Sequence, residues 1–520
     1  MNNPSMRIAT LRWWLPTLLA SLLAGCAGLP AQEGRQESSA IADTSGTRLA
    51  AGVAPLVAAH PGQSGIHGLQ FGTDAFAARM LLARVAQKSI DAQYYIWHPD
   101  QSGALLMGEL WDAAKRGVRV RLLMDDQNTG GEDDILAALG TLPNLEVRLY
   151  NPFAQRSGRI LNYLYDFGRL NRRMHNKSFT ADNQATIVGG RNVGNEYFGA
   201  GSEVPFKDLD VLAIGPAVRA VSDEFDLYWN SASAYPVPRV IGPPPADAAT
   251  FIEGRIAAAR ADPESRAYIE AVRDTPLISA LLEQRLALDW SEADLVSDDP
   301  AKTLDTTQRH DILLLSELMS GVARPRKSFD IISPYFVPGE KGTEVLEKLV
   351  REGVRVRVLT NSLAGTDVGV VHSGYSKWRC RLVRSGIKLY ELKPSVEDRE
   401  TRERHKKGSS AARLHAKTFQ VDDKLIFAGS FNFDPRSALL NTEMGLVIRN
   451  PVLAGRLVEA FDTQILPNAY EIRAREGDPC IEWIEHTAAG EVRYDTEPLV
   501  GWGRRTWIEF LTLLPLDWLL

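Results

Sequence analysis

Three observations predict an α/β fold for this 520-residue chain, with two similar sandwich halves around one shared active-site cleft. Segments with strand and helix character alternate, the order expected of a largely buried sheet covered by helices. That order occurs twice: residues 88–95 (KSIDAQYY) parallel 327–336 (KSFDIISPYF), and 117–123 (GVRVRLL) parallel 353–359 (GVRVRVL). One short pattern also appears in each half, His175-x-Lys177-x4-Asp182 and His415-x-Lys417-x4-Asp422. After the same six-residue gap each copy meets a turn ending in asparagine, Gly189-Gly190-Arg191-Asn192 or Gly429-Ser430-Phe431-Asn432. A repeat that extends into flanking strands is structural and implies a pseudo-two-fold axis through the site.

Residues 1–25 read as an export signal, with Arg7 and Arg12 ahead of an apolar run from Trp13 to Leu23 that is too short to span comfortably. The run ends in Leu23-Ala24-Gly25-Cys26, small residues before a cysteine, which resembles a bacterial lipobox: cleavage before Cys26 and lipidation there. The alternative is an uncleaved anchor helix. Ala27 is not the aspartate of a common inner-membrane retention signal. The expected location is therefore the bacterial cell envelope, anchored at Cys26 and facing the periplasm, with the outer membrane ahead of the inner. Residues 26–65, rich in Ala, Gly, Ser, Gln and Pro, read as a flexible tether.

The first half spans 66–235. Thr73 or Asp74 caps a helix carrying Phe76, Met80, Leu81 and Val85. A strand over 89–97, a helix over 105–115 stopped at Gly117, and a strand over 118–125 follow. Asp125 and Asp126 close that strand with no histidine nearby, which favours a cap or loop role over metal binding. The aromatic and basic stretch 151–170 is either a packed connection or a lip that meets lipid. Prolines 236, 238 and 243–245 open a helical connector, 236–305, packed beside the cleft, whose Lys302 could reach the site but is not assigned to it. In the second half, 306–470, His372 and Tyr375 either serve structure or line an acceptor side. The charge-dense run 397–407 is a solvated loop or steers anionic headgroups. The tail, 471–520, carries Trp502, Arg504, Arg505, Trp507 and Phe510. It fits a membrane interface or packs back on the core.

A net charge of −6 argues against a polybasic nucleic-acid binder, and no nucleic-acid partner is expected. Three cysteines do not make a disulfide framework. Cys380 and Cys480 read as isolated thiols, with pairing left open by an exported location.

Residues two apart on a strand share a face, so His175 lies with Lys177 and His415 with Lys417. Folding the halves together gathers two imidazoles, two ammonium groups and the amides of Asn192 and Asn432 in one cleft. That set suits a phosphodiester: cations and amides neutralise the phosphate oxygens, one histidine attacks phosphorus and the other protonates the leaving oxygen. The chemistry requires no metal and no cofactor.

These motifs resemble the phospholipase D superfamily. Asn171-Arg172-Arg173-Met174-His175-Asn176-Lys177, the Gly189–Asn192 turn and Asn195-Glu196-Tyr197-Phe198 are most similar to bacterial cardiolipin synthases of the C type. The resemblance implies a duplicated phospholipase D-like sandwich. It makes His175 the nucleophile and His415 the general acid and base, with Lys177 and Lys417 completing the catalytic motif. Asn192, Asn432 and Ser430 bind phosphate. Asp182 and Asp422 belong to the motif but are expected to support the fold. Asp208 is assigned to orient His175, and Glu443 to orient His415. Gly190 departs from the usual serine and makes the half-sites unequal. The implied activity is a phosphatidyltransferase that makes cardiolipin from phosphatidylglycerol, with phosphatidylethanolamine as a further candidate donor, at a membrane surface. With water as acceptor the same chemistry is a phospholipase D-type hydrolase. An exported nuclease fits the acidic charge less well, and a non-catalytic binding protein has no use for two complete motifs.

Overall fold

The computed structural model describes residues 28–33, 35–201, 206–283, 285–304, 314, 318, 324–366, 368–394, 414–477 and 480–514. The export segment with Cys26, the run 397–407 and residues 515–520 lie outside the described residues.

Two mixed sheets carry the fold. The first contains β1 (Ser64–Leu69), β2 (Ser89–Tyr94), β3 (Arg119–Asp125), β4 (Leu145–Tyr150), β5 (Ser178–Ala181), β6 (Ala185–Gly189), β7 (Asp210–Ile214) and β8 (Ala234–Pro236). Its spatial order is β1-β7-β6-β5-β2-β3-β4-β8, with β2, β3 and β4 parallel. The second contains β9 (Asp289–Ser297), β10 (Ser328–Ile332), β11 (Arg355–Asn361), β12 (Lys388–Leu392), β13 (Thr418–Val421), β14 (Leu425–Gly429), β15 (Met444–Arg449), β16 (Ala469–Ala474), β17 (Ile481–Thr487) and β18 (Gly490–Tyr494). It runs β9-β15-β14-β13-β10-β11-β12-β16-β17-β18, with β10, β11 and β12 parallel. The two orders match strand for strand from β1 to β4 and from β9 to β12, the expected duplication.

Helices α1 (Arg48–Ala58), α2 (Gly72–Val85), α3 (Gln101–Lys115), α4 (Tyr163–Leu170) and α5 (Pro216–Trp229) belong to the first half. In α3, Asp100 accepts from the Gly103 amide and starts the helix, while Leu106, Leu110 and Trp111 are buried by its inner face. Each half has its own apolar core, around Phe76, Ile90 and Val120 in the first and Phe329, Val356 and Phe419 in the second. A third cluster, including Ile66, Val188, Val211, Leu414, Met444 and Leu446, lies between the halves. Hydrophobic burial therefore fixes their relation as well as their interiors.

The repeat extends to buried charge. Arg121 binds Asp91 at 2.7 Å and sits 4.8 Å over the Phe225 ring, while Arg357 binds Asp330 at 2.7 Å and sits 4.7 Å over Phe461. Asp226 and Asp462 complete the two sets.

Four expectations are corrected. The segment read as a flexible tether packs on the first half where it is described. The Arg35 guanidinium donates to the carbonyls of Asn230 (2.6 Å) and Ser231 (2.5 Å), the Ala40 amide to Asp226 (2.8 Å), and α1 follows. Those bonds join residues far apart in sequence, which composition does not record. The connector is helical over α6 (Ala248–Ala261), α7 (Pro263–Arg273) and α8 (Pro276–Leu282), but ends in strand β9. β9 pairs with β1 through its start and with β15 through the rest, covering an edge of each sheet. Residues 471–494 are not a tail: β16 pairs with β12, and β17 and β18 extend the sheet. After α9 (Gly339–Arg351), α10 (Gly369–Ser376), α11 (Arg379–Arg384) and α12 (Pro451–Glu459), the last described helix is α13 (Trp502–Thr512). Its Ile508 and Leu511 bury against Leu363 beside α10. Cys380 and Cys480 form a disulfide between α11 and the β16–β17 connection, not two isolated thiols. Only the folded sheet brings them together.

Candidate active site

The two H-x-K segments enter β5 and β13, whose starts lie opposite the carboxyl ends of β2 and β10. Both pairs therefore sit at the carboxyl edges of the parallel strands. Main-chain bonds then cross between the halves. The His175 amide donates to the Thr442 carbonyl (2.9 Å), the Thr442 amide returns to Arg173 (2.9 Å), and the His415 amide donates to Lys207 (2.8 Å).

These crossings place Glu443 and Asp208. His175 Nδ1 is 2.8 Å from Glu443 Oε2, and His415 Nδ1 is 2.6 Å from Asp208 Oδ2. The expected pairing within each half is thus reversed: Glu443 orients His175 and Asp208 orients His415. The cause is backbone registry, because the segments holding Lys207 and Thr442 each pair with the opposite motif. With Nδ1 engaged, Nε2 is the reactive nitrogen of either ring.

The lysines lie against their histidines. Lys417 Nζ is 2.7 Å from the His415 carbonyl and 3.3 Å from its Nε2. Lys177 Nζ donates to the His175 carbonyl and lies 5.6 Å over Tyr95. Burial pushes Lys177 well below the usual lysine range, with Lys417 adding to the effect. An arriving phosphodiester anion favours its charged form.

The two histidine environments differ. Burial, then Lys177, Lys417 and His415, holds His175 well below its ordinary value. Burial and Lys417 also lower His415, but Asp208 opposes them. Burial acts to raise Asp208, yet His415, Lys417 and Arg191 together hold its carboxyl below the usual range. Burial raises Glu443, against Lys177, the Ser430 and Ser437 hydroxyls and Lys302. The rings also differ in their neighbours: Tyr95 meets His175 edge-on at 5.1 Å, while Phe206 stacks on His415 at 5.2 Å and Tyr197 meets it edge-on at 5.3 Å.

Ser430 was expected to donate to phosphate. Its hydroxyl instead donates to Glu443 (2.5 Å) and accepts from the Met444 amide (3.0 Å), so its hydrogen holds the carboxylate. At the equivalent Gly190, an added Cβ would stand 2.3 Å from Asp208 Oδ1. The missing side chain makes room for Asp208. Asn192 accepts from the Ile96 amide (3.2 Å) and donates to Tyr197 (3.0 Å), bracing the wall behind His415. Asn432 is buried, and its Oδ1 has no hydrogen-bond partner among the described residues.

Asp182 and Asp422 stand at the far ends of β5 and β13, in left-handed turns with φ of 50° and 57°. Asp182 accepts from the amides of Gln87, Lys88 and Ser89, and Asp422 from those of Arg326, Lys327 and Ser328. They are structural, not catalytic. Asp125 accepts from the Met174 amide (2.9 Å), and Asp126 from that of Phe153 (2.7 Å). His372 is buried with Glu497 at 3.7 Å, in a network tying the β16–β18 extension to α10.

Sequence reasoning missed Ser437 and Asp298, and raised Lys302 without assigning it. Ser437 Oγ donates to Glu443 Oε1 (2.7 Å), and Lys302 Nζ donates to Asp298 (2.9 Å) and to the Ser437 carbonyl (2.9 Å). The position of Lys302 four residues after Asp298 was the one available signal, and nothing in the sequence marks Ser437.

A family profile described as "Cardiolipin synthase, PLD-like domain" matches residues 82–229 and 318–465, once in each half. Cardiolipin synthase C of Escherichia coli strain K12 is 48% identical over 474 residues, 91% of this chain and 100% of that protein. Cardiolipin synthase A of Pseudomonas syringae is 26% identical over 78% of this chain and 69% of that protein. The crystal structure of phosphatidylserine synthase from Haemophilus influenzae superposes with a TM-score of 0.55 at 16% identity, covering 87% of this chain and 94% of that one. That likeness concerns the fold.

Proposed function

We propose a phosphatidyltransferase, from the premise that this chain belongs to the PLD-like cardiolipin synthase family. It transfers a phosphatidyl group to the glycerol hydroxyl of phosphatidylglycerol and so makes cardiolipin. The observation that carries the mechanism is the unequal pair of crossed histidine–carboxylate contacts.

In the first step neutral His175 attacks the donor phosphorus through Nε2. The bond from phosphorus to the headgroup oxygen breaks, and that oxygen takes the proton of His415. In the second step the acceptor hydroxyl gives its proton back to His415 as its oxygen attacks phosphorus. The P–N bond breaks and His175 leaves neutral. The ionised Asp208 stabilises the imidazolium that His415 needs as an acid. His175, held well below its ordinary value, is the free base needed for attack. Lys177 and Lys417 face the charge that develops on the phosphoryl oxygens.

Water as acceptor would make the same site a phospholipase D-type hydrolase. Labelled phosphatidylglycerol, with and without phosphatidylethanolamine in mixed micelles, separates the two. Cardiolipin supports the transferase, and its dependence on the second lipid identifies the donor; phosphatidic acid alone refutes it. His175→Ala and His415→Ala should each abolish turnover, and unchanged turnover in both would remove the mechanism.

The enzyme works at a lipid surface, on this reading. Ile160, Leu161 and Leu164 (83% exposed) crest the segment that leads into the first motif. Trp502 (79% exposed), Trp507, Phe510 and Leu513 crest α13. Tryptophans with apolar neighbours suit a membrane interface. No helix among the described residues is long and apolar enough to cross a membrane. Lipidation at Cys26 in the envelope is supported by the Leu23–Cys26 pattern and by the Cys380–Cys480 bridge, which suits an oxidising compartment. Ala27 favours the outer membrane. Release of Cys26→Ser into the soluble fraction would support the anchor, and its retention would refute it.

A further inference from the structure

The chemistry proposed above needs one histidine to attack and the other to carry the proton, yet the two motifs are nearly identical. Behind Glu443 stands the connector turn that follows β9. Asp298 engages both main-chain groups of Glu443. Its amide donates to the Glu443 carbonyl (2.9 Å), and its Oδ2 accepts from the Glu443 amide (2.9 Å). Lys302 Nζ bridges Asp298 Oδ2 and the Ser437 carbonyl, each at 2.9 Å, and Ser437 Oγ donates to Glu443 Oε1 at 2.7 Å. The first half grips the same turn. Tyr228 OH donates to the Asp298 carbonyl (2.7 Å), Tyr150 OH to the Pro300 carbonyl (3.2 Å) and Arg172 to the Lys302 carbonyl (3.0 Å). Asp298, Lys302 and Ser437 are all buried.

We propose that Asp298, Lys302 and Ser437 form a positioning clamp that fixes Glu443 against His175 and so reserves His175 for attack on phosphorus. Glu443 has three carbons between its carboxylate and backbone nitrogen where Asp208 has two, so it has one more rotatable bond to immobilise. Ser430 and Ser437 each donate to one of its oxygens, leaving Oε2 aligned on His175 Nδ1. Asp208 needs no such support, because Gly190 lets it pack directly against the turn and the Leu209 amide holds its Oδ1 at 2.8 Å. The charged groups facing Glu443 are His175 and Lys177 from the first half, Asp298 and Lys302 from the connector, and Asp434 from its own loop. Lys302 and the Ser437 hydroxyl both favour its ionised form.

The test uses full-length protein carrying Lys302→Met or Ser437→Ala, with two readouts. Single-turnover quenching with phosphorus-labelled donor lipid measures phosphohistidine formation. Nitrogen-15 histidine NMR reports the His175 Nδ1–H bonded to Glu443 without any turnover. Removing such a supporting partner should slow phosphohistidine formation about ten- to hundredfold, an order typical of residues that orient a functional side chain. The change should fall in kcat with KM little altered. The acid limb of the kcat profile should move to higher pH, because Glu443 loses a stabiliser of its charge. The His175 signal should shift while that of His415 stays. Wild-type rates with an unmoved His175 signal would overturn the clamp, and so would a rate loss that tracks melting temperature with an unmoved pH profile. A His175 signal shifted in the variants, with no phosphohistidine formed even by the wild type, would support the clamp while refuting the transferase reading.

Discussion

Gly190→Ser restores the residue commonest in the motif and is expected to harm the enzyme. A Cβ at this position would lie 2.3 Å from Asp208 Oδ1 and 2.9 Å from its Cγ. The carboxylate must therefore retreat by about 1 Å to reach ordinary contact distance. It has little freedom to do so, because Oδ2 holds His415 at 2.6 Å and Oδ1 holds the Leu209 amide at 2.8 Å. Losing a hydrogen bond to a charged partner costs about 1.5–3 kcal/mol. At about 1.4 kcal/mol per factor of ten, this predicts a fall in kcat of roughly 10- to 150-fold. The pH profile gives the sign. Asp208 opposes the lowering of the His415 pKa, so its displacement lets that pKa fall further. His415 then loses its proton at lower pH, and the alkaline limb of kcat should move down. Steady-state transfer in mixed micelles across pH reads both effects. Wild-type kcat with an unmoved alkaline limb would refute the assignment of Asp208 to His415.

Asp182→Ala should destabilise the fold without touching chemistry. It unpairs the Gln87, Lys88 and Ser89 amides and leaves alanine at φ 50°, a loss of about 3 kcal/mol in urea titrations with KM retained. Cys380→Ser opens a bridge of sequence separation 100 and should cost about 2–4 kcal/mol, with reductant lowering the wild-type melting temperature similarly. A wild-type melt insensitive to reductant would exclude the bridge. Leu164→Ser combined with Trp507→Ser should lower turnover of vesicle lipid while sparing short-chain lipid below its micelle threshold, since each crest residue contributes about 1–2 kcal/mol when buried in lipid. Equal losses on both substrates would mean the crests serve structure.

The catalytic motifs and the strands beside them were legible because each is local in the chain and occurs twice. The crossed carboxylates were not. Asp208 and Glu443 occupy equivalent places, and only the bridges from Lys207 to Leu414 and from Met174 to Thr442 decide which histidine each meets. β9 escaped notice because its acidic residues blur the alternation of a half-buried strand, and it exists to cover the edges of β1 and β15. The disulfide depends on β16 pairing with β12, a contact between residues about eighty apart along the chain. Ser430 was legible as part of the site but not in its role, since a hydroxyl's partner depends on which acceptor the fold brings nearest.

A single chain holding both half-sites can make them unequal in a way two identical subunits cannot. Three local differences achieve this: Gly190 against Ser430, Asp208 against Glu443, and the Asp298, Lys302 and Ser437 contacts that hold Glu443. Each acts on charge. The short carboxylate beside Gly190 stays ionised and favours the imidazolium of His415, the state a proton donor needs. The longer one is raised by burial and offers His175 less of that support, leaving a neutral imidazole beside the two lysines. The same two lysines depress His175 and, on the proposed mechanism, meet the phosphate, so binding the anion screens them and leaves the geometry to Glu443. On the proposed assignment, order of attack is therefore a property of what stands behind each ring, and exchanging the histidines' own motifs should not reverse it.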